Sequence, residues 1–325
     1  MKDFKLFGLL LFGMMAAMVV SCGDDDDDDV VSGDLGTPKY EAVSALYKVT
    51  EKDAFIPFLY PEHAGAPSNR RMVSVEFTSS GNYILTYERT GYTRAAESRS
   101  DISGIFTQPL AKTRGYTYYD NIIYGTYTLD GDTYDLQGFG TIVIVGDGSN
   151  FVTLEITMSG GRKWRIGAQK EKQYSSSTMN NMLCRTWNIN KFGIYAKRAG
   201  QVALDETYKS YRDFLYGLYK LNGSTSVSIE IEELADGAPK QTVFTKSGSY
   251  VVFYADNTLA ISTWKWENES AGKARYSWNY EYIDDPYSSG MFTAEYKDGM
   301  LILSEPLSGD FDGDSYLIYY LTEAK

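Results

Sequence analysis

The sequence predicts an all-β chain of two antiparallel meander β-barrels, with one amphipathic helix in the second. Three observations carry that expectation. From Tyr40 onward, apolar and polar residues alternate with period two in short runs, the mark of half-buried strands. The runs are separated by Gly, Asn, Asp and Ser, the residues that accept tight turns. Each half of the chain offers about eight such runs, a number that suits a sheet closing on itself and losing its exposed edges. The 325 residues leave room for two domains of ~150 residues each.

Before the strands comes a leader. Lys2 and Lys5 precede an apolar run, Leu6 to Val20. At 15 residues it is shorter than the ~20 needed to span a bilayer. It has the charge and length of a secretory signal peptide, read here as residues 1–21. The run ends in Val19-Val20-Ser21-Cys22, which resembles the lipobox of bacterial lipoproteins. That resemblance implies cleavage before Cys22, acyl chains on its thiol and amine, and an outer-membrane partner reached through the lipid. The alternative is a plain signal peptide with Cys22 incidental. Gly23 and six aspartates, Asp24 to Asp29, follow. Six like charges repel one another and stay solvated, so residues 22–38 form a tether rather than core. An acidic run after a lipidated Cys also resembles the surface-export signal of Bacteroidetes-type lipoproteins, which implies a cell-surface location. The bland reading of the same run is a spacer.

Residues 39–170 read as the first β domain. Met72–Thr78 turns at Ser80-Gly81-Asn82 into Tyr83–Glu88. Ile122–Leu129 turns at Asp130-Gly131 into Thr133–Gln137. Thr141–Val145 turns into Phe151–Met158, and Ser159-Gly160-Gly161 leads to Lys163–Ala168. The seam falls in Gly167–Asn181, where Lys170, Lys172 and a serine run interrupt the apolar periodicity. Residues 171–325 read as the second β domain. Strands are expected at Ser226–Glu233, through Val227, Ile229 and Ile231, at Tyr276–Tyr282 and at Ser315–Thr322. Asp256-Asn257 and Asp298-Gly299 are hairpin turns. The halves echo each other: Phe77–Tyr83 resembles Phe253–Leu259, and Tyr127 before Asp130-Gly131 parallels Tyr296 before Asp298-Gly299. One segment breaks the β pattern. Leu204, Tyr208, Tyr211, Leu215 and Leu218 share one helix face, which predicts a helix over Asp205–Leu221. Acids at its start and Lys220 at its end suit the helix dipole.

Leu183-Cys184-Arg185-Thr186-Trp187 looks like the opening of lipocalin-like domains, in which a Leu and a Trp four residues later begin strand one. Phe253, Asp256-Asn257-Thr258, Trp278, Tyr280 and Leu301 follow in the order usual for bacterial lipocalin-like lipoproteins. The resemblance covers Met182–Leu321. It implies that Trp187 plugs the base of a barrel, that a small ligand sits in the cup, and that a helix near the mouth can act as a lid.

Composition narrows the chemistry. A formal charge of −12 argues against nucleic acid, because phosphate binding needs a basic surface. Two cysteines, Cys22 and Cys184, exclude a disulfide framework and a Cys-based zinc site, and one histidine excludes multi-His metal sites. That histidine, His63, lies in a Pro-rich loop without a nucleophile elbow. No P-loop or dinucleotide fingerprint is present, so no cofactor is expected. Asp310, Asp312 and Asp314 alternate as calcium ligands do, but the residues around them depart from the EF-hand pattern. A turn is the better reading. Trp264, Trp266, Trp278, Tyr280 and Tyr282 fall on two neighbouring strands, either as core or as a platform for a small apolar molecule or a glycan. The leading expectation is a non-catalytic ligand-binding or interaction module on the outer-membrane surface. The alternatives are an adhesive protein of two β-sandwiches, and then a surface hydrolase.

Overall fold

The computed structural model describes residues 35–58, 68–88, 122–146, 148–221, 229–256, 259–277, 289–307 and 309–324. Expectations that rest on Cys22, Asp24–Asp29, His63, Trp278, Tyr280 and Tyr282 lie outside these residues. The first half carries β1 (Ala45–Val49), β2 (Phe55–Phe58), β3 (Ser68–Phe77), β4 (Asn82–Tyr87), β5 (Ile122–Asp130), β6 (Thr133–Leu136), β7 (Gly140–Gly146), β8 (Phe151–Met158) and β9 (Lys163–Lys170). Helix α1 (Thr178–Leu183) opens the second half. It is followed by β10 (Thr186–Arg198), β11 (Gln201–Tyr208), α2 (Tyr211–Leu221), α3 (Ile229–Asp236), β12 (Pro239–Phe244) and β13 (Ser249–Tyr254). Then come β14 (Leu259–Asn268), β15 (Lys273–Ser277), β16 (Ser289–Lys297), β17 (Met300–Pro306) and β18 (Tyr316–Glu323).

Both halves close. β1 pairs with both β3 and β9, and β10 with both β12 and β18, so each sheet is an eight-stranded antiparallel barrel. The ninth strand of each sheet, β2 or β11, hangs on the outside. Closure rules out the two-sandwich architecture. Alternating residues fill each barrel: Phe77, Tyr83, Leu85, Leu136, Ile142 and Leu154 in the first, and Trp187, Phe244, Tyr250, Trp264, Tyr276 and Tyr319 in the second. Asp298-Gly299 makes the β16–β17 turn with both φ angles positive, as a two-residue hairpin requires.

Two elements differ from the sequence reading. The helix expected over Asp205–Leu221 starts at Tyr211, and Gln201–Tyr208 is strand β11. The cap is Ser210, whose Oγ accepts from the Asp213 N–H (3.1 Å) and donates to the Asp213 carboxylate (2.7 Å). The strand expected over Ser226–Glu233 is instead helix α3 from Ile229 to Asp236. Ile231, Leu234 and Ala235 all face the core at helical spacing, which outweighs the two-residue alternation of Ile229 and Ile231.

The halves are the same fold, in a different register from the echo read in the sequence. Phe77–Tyr87 matches Phe244–Tyr254, with Phe, Thr, Ser, Gly, Tyr and Tyr at the same places. The β3–β4 and β12–β13 hairpins are built alike. The Thr78 N–H donates to the Asn82 carbonyl (2.8 Å), as Thr245 does to Ser249 (2.9 Å). The threonine Oγ1 accepts from the Asn82 or Ser249 N–H, at 3.0 Å in both. Gly81 and Gly248 hold φ of 84° and 85°, a conformation that glycine adopts cheaply. The Tyr127 N–H reaches the Gly81 carbonyl as the Trp264 N–H reaches that of Gly248, so Tyr127 corresponds to Trp264, not to Tyr296.

The barrels dock through these hairpins. Ile84, Ile122 and Tyr124 of the first meet Val251, Phe253, Leu259 and Ile261 of the second, with the Tyr124 and Phe253 rings 4.5 Å apart. The polar contacts are reciprocal. Ser79 Oγ donates to the Cys184 carbonyl (2.8 Å), and its counterpart Lys246 pairs with Glu41. Ser247 Oγ donates to the buried Glu76 carboxylate. Burial pushes the Glu76 carboxyl up, against the hydroxyls of Ser247, Thr245 and Ser249, which pull it down. A carboxyl raised in the folded state binds its proton more tightly there than in the unfolded chain. Its contribution to stability is therefore complete below the ordinary carboxylate range and is lost as pH rises through the raised value. Lys246 is pushed down by burial and works in the opposite sense, so a variant is needed to isolate the carboxylate. Glu76→Gln is expected to remove the fall in stability on leaving the acid range, read from urea midpoints across pH. A Gln variant with the wild-type pH slope would show that Glu76 does not titrate on unfolding.

Candidate functional site

The second barrel has two unlike ends. Its base is closed by α1. Ser177 caps that helix through the Asn180 N–H (3.0 Å), and Asn180 is wholly buried. The Asn180 amide donates to the Ser175 carbonyl (3.0 Å) and to Glu269 (3.1 Å), while its oxygen accepts from Trp266 Nε1 (2.7 Å). Trp187 is fully buried, and its Nε1 donates to the Leu183 carbonyl (3.0 Å). Trp264 is buried, with Nε1 on the carbonyls of Thr245 (3.2 Å) and Ser249 (3.1 Å). Trp264 and Trp266 thus share a face, their rings 5.2 Å apart, and both hold the base together. Trp278, Tyr280 and Tyr282 lie outside the described residues.

The aspartate loop is a turn. Asp312 accepts from the Gly200 N–H (2.7 Å), its own N–H reaches the Lys197 carbonyl (2.9 Å), and Asp314 pairs with Lys197. These contacts tie the β17–β18 loop to the β10–β11 hairpin. Among the described residues no group of three His, Cys, Asp or Glu side chains is placed to hold a metal ion. Cys184 is buried, and burial pushes its thiol up, so it behaves as a small core residue. An open pocket of about 390 Å³ lies on the first barrel, around the β6–β7 turn; Asp135 is the sole ionisable residue in its lining.

The opposite end of the second barrel is covered by α2. Phe214 is fully buried and sits over Phe192 (5.3 Å between rings) and Tyr319 (6.3 Å). Gly217 lets the helix close on β11, since a Cβ there would collide with the Tyr208 hydroxyl. A second helix holds α2 from outside: the Tyr216 hydroxyl donates to Glu232 of α3 (2.9 Å), and Arg212 pairs with it (2.9 Å). Beneath α2 lies a polar group that the sequence reading missed. Glu305 is 2% exposed and accepts a hydrogen bond from the Tyr276 hydroxyl. Burial first, and then the nearby Glu305, push the Tyr319 phenol up, away from ionisation. Tyr276 is raised by the same two causes in the same order. Both phenols are therefore neutral through the physiological range.

The first barrel is an internal control for these positions. Trp187 pairs with Glu323 where Tyr47 pairs with Lys170. Further along, Leu303–Tyr319 and Glu305–Leu317 take the places of Leu154–Ile166 and Ile156–Trp164. Trp264 pairs with Tyr276 where Tyr127 pairs with Leu136, and Tyr276–Gly290 repeats Leu136–Gly140. Tyr276, Glu305 and Tyr319 thus stand where the first barrel holds Leu136, Ile156 and Ile166, all buried. The same fold, in the same chain, closes there with hydrocarbon alone. No protein-family model matches the chain, and no curated protein matches it.

Proposed function

We propose that the protein is a lipid-anchored module of an outer-membrane surface, lipocalin-like in build, that binds a small molecule in its second barrel without transforming it. The observation that carries this is the exchange of Leu136, Ile156 and Ile166 for Tyr276, Glu305 and Tyr319 between equivalent barrels. A buried carboxylate gives a core little or no net stability over a hydrocarbon of its size. Its presence under a helix, in one barrel of two, is what recognition of a ligand would call for. The first barrel then serves as the scaffold against which the second is braced. The anchor is supported by the order Lys2, Lys5, Leu6–Val20 and Val19-Val20-Ser21-Cys22. Leu35, the first described residue, packs on the core of the second barrel, and the Gly36 carbonyl accepts from Arg185 beside α1. The tether would therefore leave from the base, with the α2 end turned away from the membrane.

The test is mass spectrometry of small molecules extracted from the protein purified from its native host. A compound carried by the wild type and missing from Glu305→Leu is expected. A wild type that carries nothing beyond what Glu305→Leu carries would sink the ligand reading and leave the filled barrels as an interaction scaffold.

A further inference from the structure

The pocket on the first barrel stands apart from the second barrel and has a chemistry of its own. Tyr134, Leu136, Ile142, Ile156 and Met158 belong to the core, so the residues between them, Asp135, Thr141 and Thr157, stand on the outer face. They form one row across β6, β7 and β8: Asp135 pairs with Thr141, and Thr141 with Thr157. All three line the pocket of about 390 Å³, a size that takes a small molecule. None of these three side chains has a hydrogen-bond partner among the described residues. The turn beside them is fixed without their help. The Gln137 N–H donates to the Thr126 carbonyl (3.0 Å), the Phe139 N–H to the Leu136 carbonyl (3.0 Å) and the Ser159 N–H to the Phe139 carbonyl (3.2 Å). The Tyr83 hydroxyl donates to the Gln137 carbonyl (2.9 Å). A Cβ on Gly140 would stand 2.2 Å from the Thr157 carbonyl oxygen, so only glycine lets β7 begin this close to β8. One on Gly138 would stand in open space, so the turn presents bare backbone there. In the second barrel Arg275–Met291 takes the place of Asp135–Thr141. Arg275 is engaged, with Nε donating to Glu267 (2.6 Å) and a terminal nitrogen against Met291 Sδ (3.7 Å). The open row is a property of the first barrel.

We propose that this row binds one pyranose unit of a neutral saccharide, with ring hydroxyls on Asp135 at one end and Thr157 at the other. The carboxylate only accepts, whereas a threonine hydroxyl donates and accepts, so the set is matched by a ligand whose own groups do both. An anion would meet repulsion from Asp135, the sole ionisable residue in the lining. An ammonium would engage Asp135 and leave both threonines unused. Span makes the same choice. From Asp135 to Thr157 the row crosses two strand spacings, about 10 Å. Two hydrogen bonds of about 2.8 Å take up half of that. The remainder is the width of one six-membered ring, too far for a single ammonium to bridge. Gly138 and Gly140 keep the floor low, so the C–H groups of the ring can lie against backbone.

The probes are the methyl pyranosides of glucose, galactose and mannose, with tetrahydropyran, the same ring without hydroxyls, and tetramethylammonium as comparisons. Each is titrated into the full chain and followed by saturation-transfer nuclear magnetic resonance. Saturable binding of at least one pyranoside is expected, with tetrahydropyran and tetramethylammonium weaker by about tenfold or more. Asp135→Ala should weaken that pyranoside by about tenfold, the scale of a hydrogen bond to a charged group, and Thr157→Val by about three- to tenfold. Thr157→Ser keeps the hydroxyl and should bind as wild type does. All three replace outward-facing side chains and should keep the wild-type unfolding midpoint, which separates lost recognition from lost structure. If none of the three pyranosides binds, if tetramethylammonium binds more tightly than they do, or if Asp135→Ala binds the best of them as wild type does, the saccharide assignment is overturned. Glu305→Leu should leave pyranoside binding unchanged, so this proposal and the ligand reading of the second barrel stand or fall separately.

Discussion

Cys22→Ser abolishes acyl labelling and releases the protein from membranes; that is the expected result, and the effect is all or none. In the proposed anchor the parts of the leader act separately. Lys2, Lys5 and Leu6–Val20 would direct export, Val19-Val20-Ser21-Cys22 would direct lipidation, and Asp24–Asp29 would keep the tether hydrated and route it outward. Each buried CH₂ of an acyl chain contributes ~0.8 kcal/mol, and one chain alone is marginal, so several chains on Cys22 are what would hold the protein. From Cys22 to Asp34, ahead of Leu35 packed on the second barrel, the proposed tether is 13 residues rather than the 17 that end at Pro38. Fully extended it would reach about 43–47 Å. As a coil it would average about 18–22 Å, which repulsion within the aspartate run would increase. Replacing Asp24–Asp29 with Ala should leave labelling intact but hide the protein from protease added to whole cells. A Cys22→Ser protein that stays on the membrane overturns the anchor. An Ala-run protein still cut at the surface overturns the address alone.

The barrels were legible because their causes are local. Alternation and turn residues mark Met72–Tyr87, Phe151–Met158 and Leu301–Leu303 whatever surrounds them. The errors fall where tertiary contacts decide. Leu204 and Tyr208 fit a helix stripe, yet Phe192–Ala196 of β10 offers that segment a pairing edge, and the chain takes it as β11. Ser210, a capping serine followed three residues later by Asp213, was the available sign that the helix begins there. The duplication is readable too: Phe-Thr-x-Ser-Gly-x-Tyr occurs at Phe77 and again at Phe244, nine residues before the Phe253 that strand-turn-strand likeness alone suggests. Glu305 could not be found this way. In Leu301–Pro306 it is one acid among 43 in the chain, and only its register opposite Leu317, set against Ile156 opposite Trp164, makes it conspicuous.

Trp264→Ala is expected to cost ~3–5 kcal/mol of unfolding free energy, the range for emptying a buried aromatic site. The side chain is 1% exposed and lies between Tyr174 (5.1 Å between rings), Trp266 (5.2 Å) and Phe244 (6.0 Å). Its Nε1 also holds the carbonyls of Thr245 and Ser249, on either side of the turn that carries Lys246 to Glu41 and Ser247 to Glu76. Loosening that turn weakens the contact between barrels as well as the core of one. Limited proteolysis of the variant should therefore cut between the barrels, in 171–177, before either barrel is lost. Trp266→Phe keeps most of the ring but leaves the buried Asn180 oxygen without its donor, at a cost of ~1–3 kcal/mol. Trp266 belongs to the base, with its Nε1 on Asn180 of the helix that closes it, whereas Trp264 stands in register opposite Tyr276, whose hydroxyl reaches Glu305. Under conditions where Trp266→Phe is still folded, the compound it carries from the native host should match that of wild type. Urea unfolding followed by far-ultraviolet circular dichroism measures the stabilities, and mass spectrometry the bound compound. A Trp264→Ala protein of near-native stability, or a Trp266→Phe protein that loses its compound while fully folded, would return this face to the binding site.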